Sequence, residues 1–237
     1  MRATSHAKPT GPVDPADPVE PTRRVLRADA ERNRRRIIDA ARVTFARRGL
    51  DVPLDAIAEA AGVGVATVYR RFPTKEDLLR AILEDRVEAL LARFPALERI
   101  DDPWDAFAAA AEAFAGAIAV DRGFFQLFAQ SDRPLPGEAA KRELIEALEP
   151  FLSRAQAAGR VREDLVILDV TALCSVAARM PSWRLAREPD LWRRYLAIVL
   201  DGLRSEAAHP LPHPPPRHGP AGEPLDPGAY AARSTGR

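Results

Sequence analysis

An all-α fold is predicted: a small N-terminal unit of three helices followed by a larger helical bundle. Three observations predict it. Apolar residues recur at spacings of three and four through most of residues 28–203. No stretch alternates apolar and polar residues as a half-buried strand does. The glycines and prolines inside that span fall mostly where an apolar period stops.

The elements follow in order. Ile37, Ile38, Ala41 and Phe45 recur at helical spacing in residues 28–48, and Gly49 ends that helix. Pro53 opens a short helix with Leu54, Ile57, Ala58 and Ala61 on one side, stopped by Gly62. A second short helix starts near Gly64 and carries Val65, Val68, Tyr69 and Phe72 inward; Pro73 stops it. Thr74 can cap the next helix, with Asp77 three residues on. Asp102-Pro103 is a cap followed by a first-turn proline, and Trp104, Phe107, Ala111, Phe114 and Ile118 form the stripe behind it. Residues 123–130 (GFFQLFAQ) read as a short apolar helix, 131–137 as a loop, and 138–158 as a helix with Pro150 as a possible bend, ended by Gly159. Residues 166–180 and 191–203 are apolar around most of their circumference. Such helices need partners on more than one face. In a chain of this size, a second copy is the expected partner for this pair, with Val170, Leu173, Trp192, Tyr195, Val199 and Leu203 at the contact. The alternative is a central helix buried within one protomer.

The 237 residues carry 22 prolines, too many for a helical protein unless they cluster. They do. Pro9, Pro12, Pro15, Pro18 and Pro21 are spaced by three, and eight more lie from Pro210 onward. Three residues per turn suits polyproline II, so both ends read as disordered tails. The expected organisation is a tail over 1–22, a first domain over 23–94, a second over 95–208 and a tail over 209–237. All four histidines (His6, His209, His213, His218) fall in the tails, so the folded part has no histidine for a triad or a zinc site. With one cysteine, Cys174, there is no disulfide framework. No P-loop and no G-x-S-x-G motif is present. The chain is read as neither an enzyme nor a metal or cofactor protein. No apolar run is long enough to cross a membrane, and no secretory leader is evident, which points to the cytoplasm.

The formal net charge of +1 hides an asymmetry. Ten arginines stand against Asp29, Glu31 and Asp39 over residues 23–50. Arginine is favoured where guanidinium meets phosphate. Next to this basic stretch lie two short amphipathic helices over residues 53–72, from Pro53 through Phe72, joined by Gly62-Val63-Gly64. This is a helix-turn-helix design, whose second helix enters the DNA major groove.

Together, RRRIIDAARVTFARRGLDVPLDAIAEAAGVGVATVYRRFPTKEDLL resembles the N-terminal DNA-binding domain of the TetR family of bacterial transcription regulators. The markers are A-x-x-x-F-A-x-x-G, I-A-x-x-A-G-V, T-V-Y-R-x-F and K-E-D-L-L. The resemblance implies an all-helical homodimer on a near-palindromic operator, with a C-terminal domain that holds a small ligand and makes the dimer. Gly64 stands where many members have Ser or Thr, Arg71 where many have His, and Pro53 where a capping Thr is common.

On this reading Val65, Ala66 and Thr67 begin the recognition helix. Val65 and Ala66 can meet thymine methyls, or Val65 is simply core. Thr67 can reach a base or a phosphate. Tyr69 matches the family's phosphate-binding tyrosine, with a core aromatic as the alternative. Arg70 suits guanine readout or a phosphate contact. Arg71, Lys75 and Arg34 are phosphate candidates, Lys75 with help from the amides of its helix N-terminus. Arg23, Arg24 and Arg27 form either an arm along DNA or a solvated tail. Trp104, Phe107, Phe114, Phe124, Phe125, Phe128, Phe151 and Cys174 are candidates for an apolar ligand pocket, or ordinary core. Arg179, Arg184 and Arg187 near Trp183 can pair an acidic ligand or face solvent. The expected partners are a double-stranded DNA operator, a second copy and a small-molecule effector, with no membrane. The expected function is a repressor released by ligand. The alternatives are an activator or a ligand-independent regulator of the same fold, or a helical binding protein that no longer engages DNA.

Overall fold

A computed structural model describes residues 20–120, 138–178 and 187–216. Within them the chain is helical, and the one extended pairing is an isolated antiparallel bridge between Val161 and Arg204. The helices are α1 (Glu20–Arg48), α2 (Leu54–Ala61), α3 (Val65–Arg71), α4 (Lys75–Leu91), α5 (Phe94–Leu97), α6 (Pro103–Val120), α7 (Glu138–Ala157), α8 (Ile167–Ala178) and α9 (Leu191–Gly202). A short 3-10 turn, Ser205–Ala207, follows. The predicted helix over 123–130 lies outside the described residues, as do Phe124, Phe125, Phe128, Arg179, Trp183 and Arg184.

α1 begins at Glu20 rather than near residue 28. Pro21 does not prevent this, because a first-turn proline lacks only an amide that has no partner there. Arg23, Arg24 and Arg27 therefore stand on a helix, not in an arm before it. Ile37, Ile38, Ala41 and Phe45 form its buried stripe. Gly49 (φ +81°) closes the helix, donating its amide to the Phe45 carbonyl at 2.9 Å.

Two apolar clusters organise the molecule. The first joins α1, α2, α3 and the start of α4 through Ile37, Ile38, Phe45, Ile57, Val68, Phe72, Leu78 and Ile82. The second begins one residue later at Leu83 and takes in α5 to α9. Packing thus changes hands inside α4, well before the expected domain boundary at Phe94, which follows the end of helices rather than of a core. Phe94 packs edge-on against Phe151 of α7 with ring centroids 5.4 Å apart. Arg154 of α7 donates to the carbonyls of Glu98 (3.3 Å), Ile100 (2.7 Å) and Asp101 (2.5 Å), tying the α5–α6 link to the bundle.

Local capping follows the sequence signals. The Thr74 hydroxyl accepts the Asp77 amide at 3.1 Å, and the Asp77 carboxylate accepts the Thr74 amide at 3.1 Å and its hydroxyl at 2.7 Å. This reciprocal box starts α4. The Thr74 hydroxyl bond holds the Asp77 carboxyl below its ordinary value. At α6, the Asp102 carboxylate accepts the amides of Trp104 (2.8 Å) and Asp105 (3.0 Å). α7 runs through Pro150, and Gly159 (φ +65°) follows its end. Among the described residues no helix is long and apolar enough to cross a membrane. None of their His, Cys, Asp and Glu residues group as a metal site would require.

Candidate nucleic-acid interface and effector cavity

The turn between α2 and α3 depends on one glycine and one arginine. Gly62 sits at φ +62°, ψ +39°, the left-handed conformation that an L side chain strains to adopt. Its amide and that of Val63 close onto the Glu59 and Ala58 carbonyls at 3.0 and 3.1 Å. Arg36 reaches across from α1 and donates to the carbonyls of Ala61 (2.9 Å) and Gly62 (3.3 Å). These are end carbonyls of α2, which have no intrahelical donor. Arg36 belongs to the basic cluster but serves the turn. No sequence signal distinguishes it from its arginine neighbours.

α3 has a buried side and a displayed side. Val68 is fully buried and Phe72 nearly so, and they fix the helix to the first cluster. Val65 (44% exposed) and Tyr69 (45% exposed) point outward, contrary to the inward placement their spacing suggested. In two turns of helix, α1 and α2 can cover only one side. Ala66, Arg70 and Arg71 are exposed too, and Thr67 is half-buried. The displayed surface therefore carries an apolar patch at the start of α3, then a phenol and two guanidinium groups. A major groove offers thymine methyls, guanine O6/N7 and flanking phosphates to those groups.

Several of these side chains already have partners. Arg71 lies 3.8 Å from the Glu31 carboxylate, which is also 3.8 Å from Arg34. The Lys75 ammonium donates to the Leu50 carbonyl at 2.6 Å, holding the α1–α2 loop against the start of α4. Lys75 was expected to point its charge at phosphate. It instead has a structural hydrogen bond, although an ammonium keeps two more donors. The Asp55 carboxylate beside Tyr69 holds the phenol above its ordinary pKa. Tyr69 is thus a neutral donor with a carboxylate as its neighbour, and a phosphate oxygen would have to compete with that neighbour. Asp55→Asn removes the competitor. Its expected effect is roughly twofold to fivefold tighter DNA binding at low salt, read by fluorescence anisotropy; unchanged or weaker binding would show that Tyr69 does not reach DNA.

Gly64 is the N-cap of α3 at φ −65°, ψ 140°, with no side-chain cap. A Cβ there meets only the Thr67 hydroxyl at 3.8 Å. Gly64→Ser is expected to stabilise the protein by about 0.5 kcal/mol, through a cap and a less flexible unfolded chain. Urea unfolding reads this out, and a lower midpoint would contradict it.

The predicted pocket residues separate. Phe107, Phe114, Phe151 and Cys174 converge with Val170 and Thr171 on a small apolar cavity of ≈ 10 Å³ between α6, α7 and α8. That is about the space of one water. Trp104 does not line it: its ring lies 5.9 Å from that of Phe107 and is covered by the Arg204 guanidinium at 3.7 Å. Burial pushes the Cys174 thiol up to about 12, so it is a small apolar side chain rather than a reactive one. Arg187 is exposed.

The predicted contact residues of the last two helices also divide. Val170, Trp192 and Leu203 are buried in the protomer's own core, so they offer a partner little surface, although Leu203 lines the open groove beside Ile198 and Val199. Trp192 packs over Gly116 of α6, where an added Cβ would come within 3.2 Å of the indole. Leu173, Tyr195 and Val199 are half-buried at the outer side, beside Ala172, Val176 and Ile198, which are exposed. Spacing did not single out those last three, because α8 and α9 are apolar nearly all round.

Comparison with known proteins follows the same division. Residues 37–82 match the family model for bacterial regulatory proteins of the tetR family, and residues 102–205 that for the C-terminal domain of SbtR-like transcriptional regulators. The crystal structure of a TetR transcription regulatory protein from Mycobacterium vanbaalenii is 34% identical and covers 76% of this chain and 99% of its own, with a TM-score of 0.53. The chain belongs to the TetR family. Within the TetR family it is also similar to SrpR, an HTH-type transcriptional regulator of Pseudomonas putida. That match is 41% identical over 80 residues, 33% of this chain and 38% of SrpR. The chain thus spans well under half the length of SrpR. A structure described as a γ-butyrolactone receptor (ArpA-like protein) is 26% identical, with a TM-score of 0.56, covering 74% of this chain and 90% of that one. As a TetR-family protein the chain is a helix-turn-helix, DNA-binding regulator of transcription.

Proposed function

We propose that this TetR-family protein is a repressor that binds a near-palindromic operator as a homodimer in the cytoplasm and leaves it when a small apolar molecule occupies the second core. The displayed side of α3 carries the reading: Val65, Ala66, Tyr69, Arg70 and Arg71 stand exposed while Val68 and Phe72 anchor the helix. In a dimer, two such helices enter successive major grooves about 34–36 Å apart. Arg70 reads guanine, Val65 and Ala66 meet thymine methyls, and Tyr69, Arg71, Thr67, Arg34 and the remaining donors of Lys75 hold phosphates.

The cavity beside Phe107, Phe114 and Phe151 supports the choice of an apolar effector, since Thr171 is its one hydroxyl and that hydroxyl donates to the Leu168 carbonyl at 3.1 Å. A cavity of this size must widen to admit a ligand. The ligand therefore favours a state in which α6, α7 and α8 stand further apart, and it shifts the protein only by its extra affinity for that state. The γ-butyrolactone receptor among the similar structures supports a ligand-responsive reading.

Footprinting the DNA upstream of the protein's own gene, with mobility shifts over a salt series, tests this. A protected palindrome and a steep fall of log K with log salt are expected. No protected site at moderate salt would refute the operator reading. Retention of the complex throughout an apolar ligand screen would refute release by an apolar effector.

A further inference from the structure

Glu31 stands apart from its acidic neighbours on α1. Asp29 pairs with Arg32, and Asp39 with Arg42 at 3.3 Å, each three residues along the same helix. Glu31 makes the equivalent pair with Arg34, its Oε1 lying 3.8 Å from Nη1. Its other oxygen reaches a different helix: Oε2 lies 3.8 Å from Nη2 of Arg71, at the end of α3. Among the described residues, Glu31 is the one carboxylate that forms an ion pair with the recognition helix.

A single anion between guanidinium groups from two helices, one oxygen toward each, is also how two arginines hold a DNA phosphate. The surroundings extend the likeness. Arg34 and Arg71 are both assigned to phosphates above, and the Glu31 side chain is 56% exposed, open to a ligand as large as DNA. Both separations exceed the roughly 2.7–2.9 Å of a charge-assisted hydrogen bond. The carboxylate therefore gathers the guanidinium groups without binding them closely, and it can give way. α3 shows the pattern once more and breaks it once. Asp55 of α2 lies beside Tyr69, the other phosphate candidate on the helix. Arg70, the base reader between Tyr69 and Arg71, has no carboxylate partner among the described residues.

We propose that Glu31 is a resident surrogate for a DNA phosphate: it holds Arg34 and Arg71 together in the free protein and is displaced from them when DNA binds. The proposal rests on the reading of those two arginines as phosphate contacts. The competition falls on contacts that carry no sequence information and leaves Arg70 uncovered. Affinity for DNA of any sequence drops, so base contacts supply a larger share of what remains. When the complex opens, Glu31 recaptures both guanidinium groups, which speeds release. Glu31 precedes residues 37–82, which match the family model, so the device belongs to the extended first helix of this chain.

Fluorescence anisotropy of the full chain on a labelled random-sequence duplex tests it. Glu31→Gln is expected to tighten binding about threefold to fivefold at low salt, the size appropriate to an exposed pair in water. It should steepen the fall of log K with log salt by up to about one, and its gain should shrink as salt screens the charges. Stopped-flow mixing is expected to show slower dissociation. In an Arg34→Ala/Arg71→Ala background the same substitution is expected to lose about half or more of its gain, because no guanidinium group is left to release. Thermal melting by circular dichroism checks that each variant is folded. A full gain in that background would make Glu31 one charge in the general field and overturn the surrogate. No gain from Glu31→Gln, while Arg71→Ala weakens binding, would also overturn it and leave the phosphate reading standing. If loss of both arginines leaves binding unchanged, the phosphate reading itself fails and the surrogate goes with it.

Discussion

Arg70→Ala is expected to cost about 1–3 kcal/mol of operator affinity per half-site and to relax base preference at one position. The guanidinium is exposed on the displayed side of α3, one residue past the phenol that Asp55 engages. A base-reading arginine loses affinity for the operator but little for random DNA. A phosphate-binding one loses both alike and lowers the salt slope by about one. Arg71→Ala is the matched comparison, because Glu31 already lies beside that guanidinium. Binding titrations against operator and scrambled duplexes at several salt concentrations separate the two roles. Equal loss on both duplexes would assign Arg70 to the backbone.

Phe45→Ala should produce the largest change in stability, about 3–5 kcal/mol. The ring is 1% exposed at the centre of the first cluster, where α1 meets α2 and α4. Its removal leaves a cavity inside a cluster whose other members, Ile38, Ile57, Val68 and Leu78 among them, are themselves buried. Because packing changes hands between Ile82 and Leu83, the second core keeps its own contacts. Calorimetry is expected to show an early transition for the DNA-binding unit and a later one for the bundle. A loss below about 1 kcal/mol would mean that the neighbours close over the lost ring.

What the sequence discloses here is what local chemistry decides. Thr74 with Asp77, Asp102 with Pro103, and the glycines at 49, 62 and 159 each act on backbone within a few residues, so their pattern and their structure agree. The helix-turn-helix was legible for the same reason. The direction of Val65 and Tyr69 was not: a seven-residue helix with apolar groups on two sides has no preferred side until α1 and α2 cover one. The start of α1 was obscured because prolines at regular spacing lead directly into it, and only the last of them, Pro21, lies within the helix. The contact surface of α8 and α9 was half legible. Their apolar character announces two neighbours, but which residues face α6 and which face outward is set by long-range packing, as Trp192 against Gly116 illustrates. Partners such as Arg36 for the α2 end and Asp55 for Tyr69 leave no mark in a chain rich in both residue types.

The sharing of α4 between two cores has a mechanical side. Seventeen residues make a rod about 26 Å long, and the handover near its middle leaves an arm of about 13 Å toward the recognition helix. A tilt of about 5° in the half gripped by the second core displaces the other end by about 1 Å, already beyond the tolerance of a bidentate arginine–guanine pair. In the proposed dimer, two arms diverging symmetrically would double that error across the operator. On the proposed dimer, a rearrangement small enough to leave every helix intact would therefore put the two reading heads out of step with the pitch of DNA.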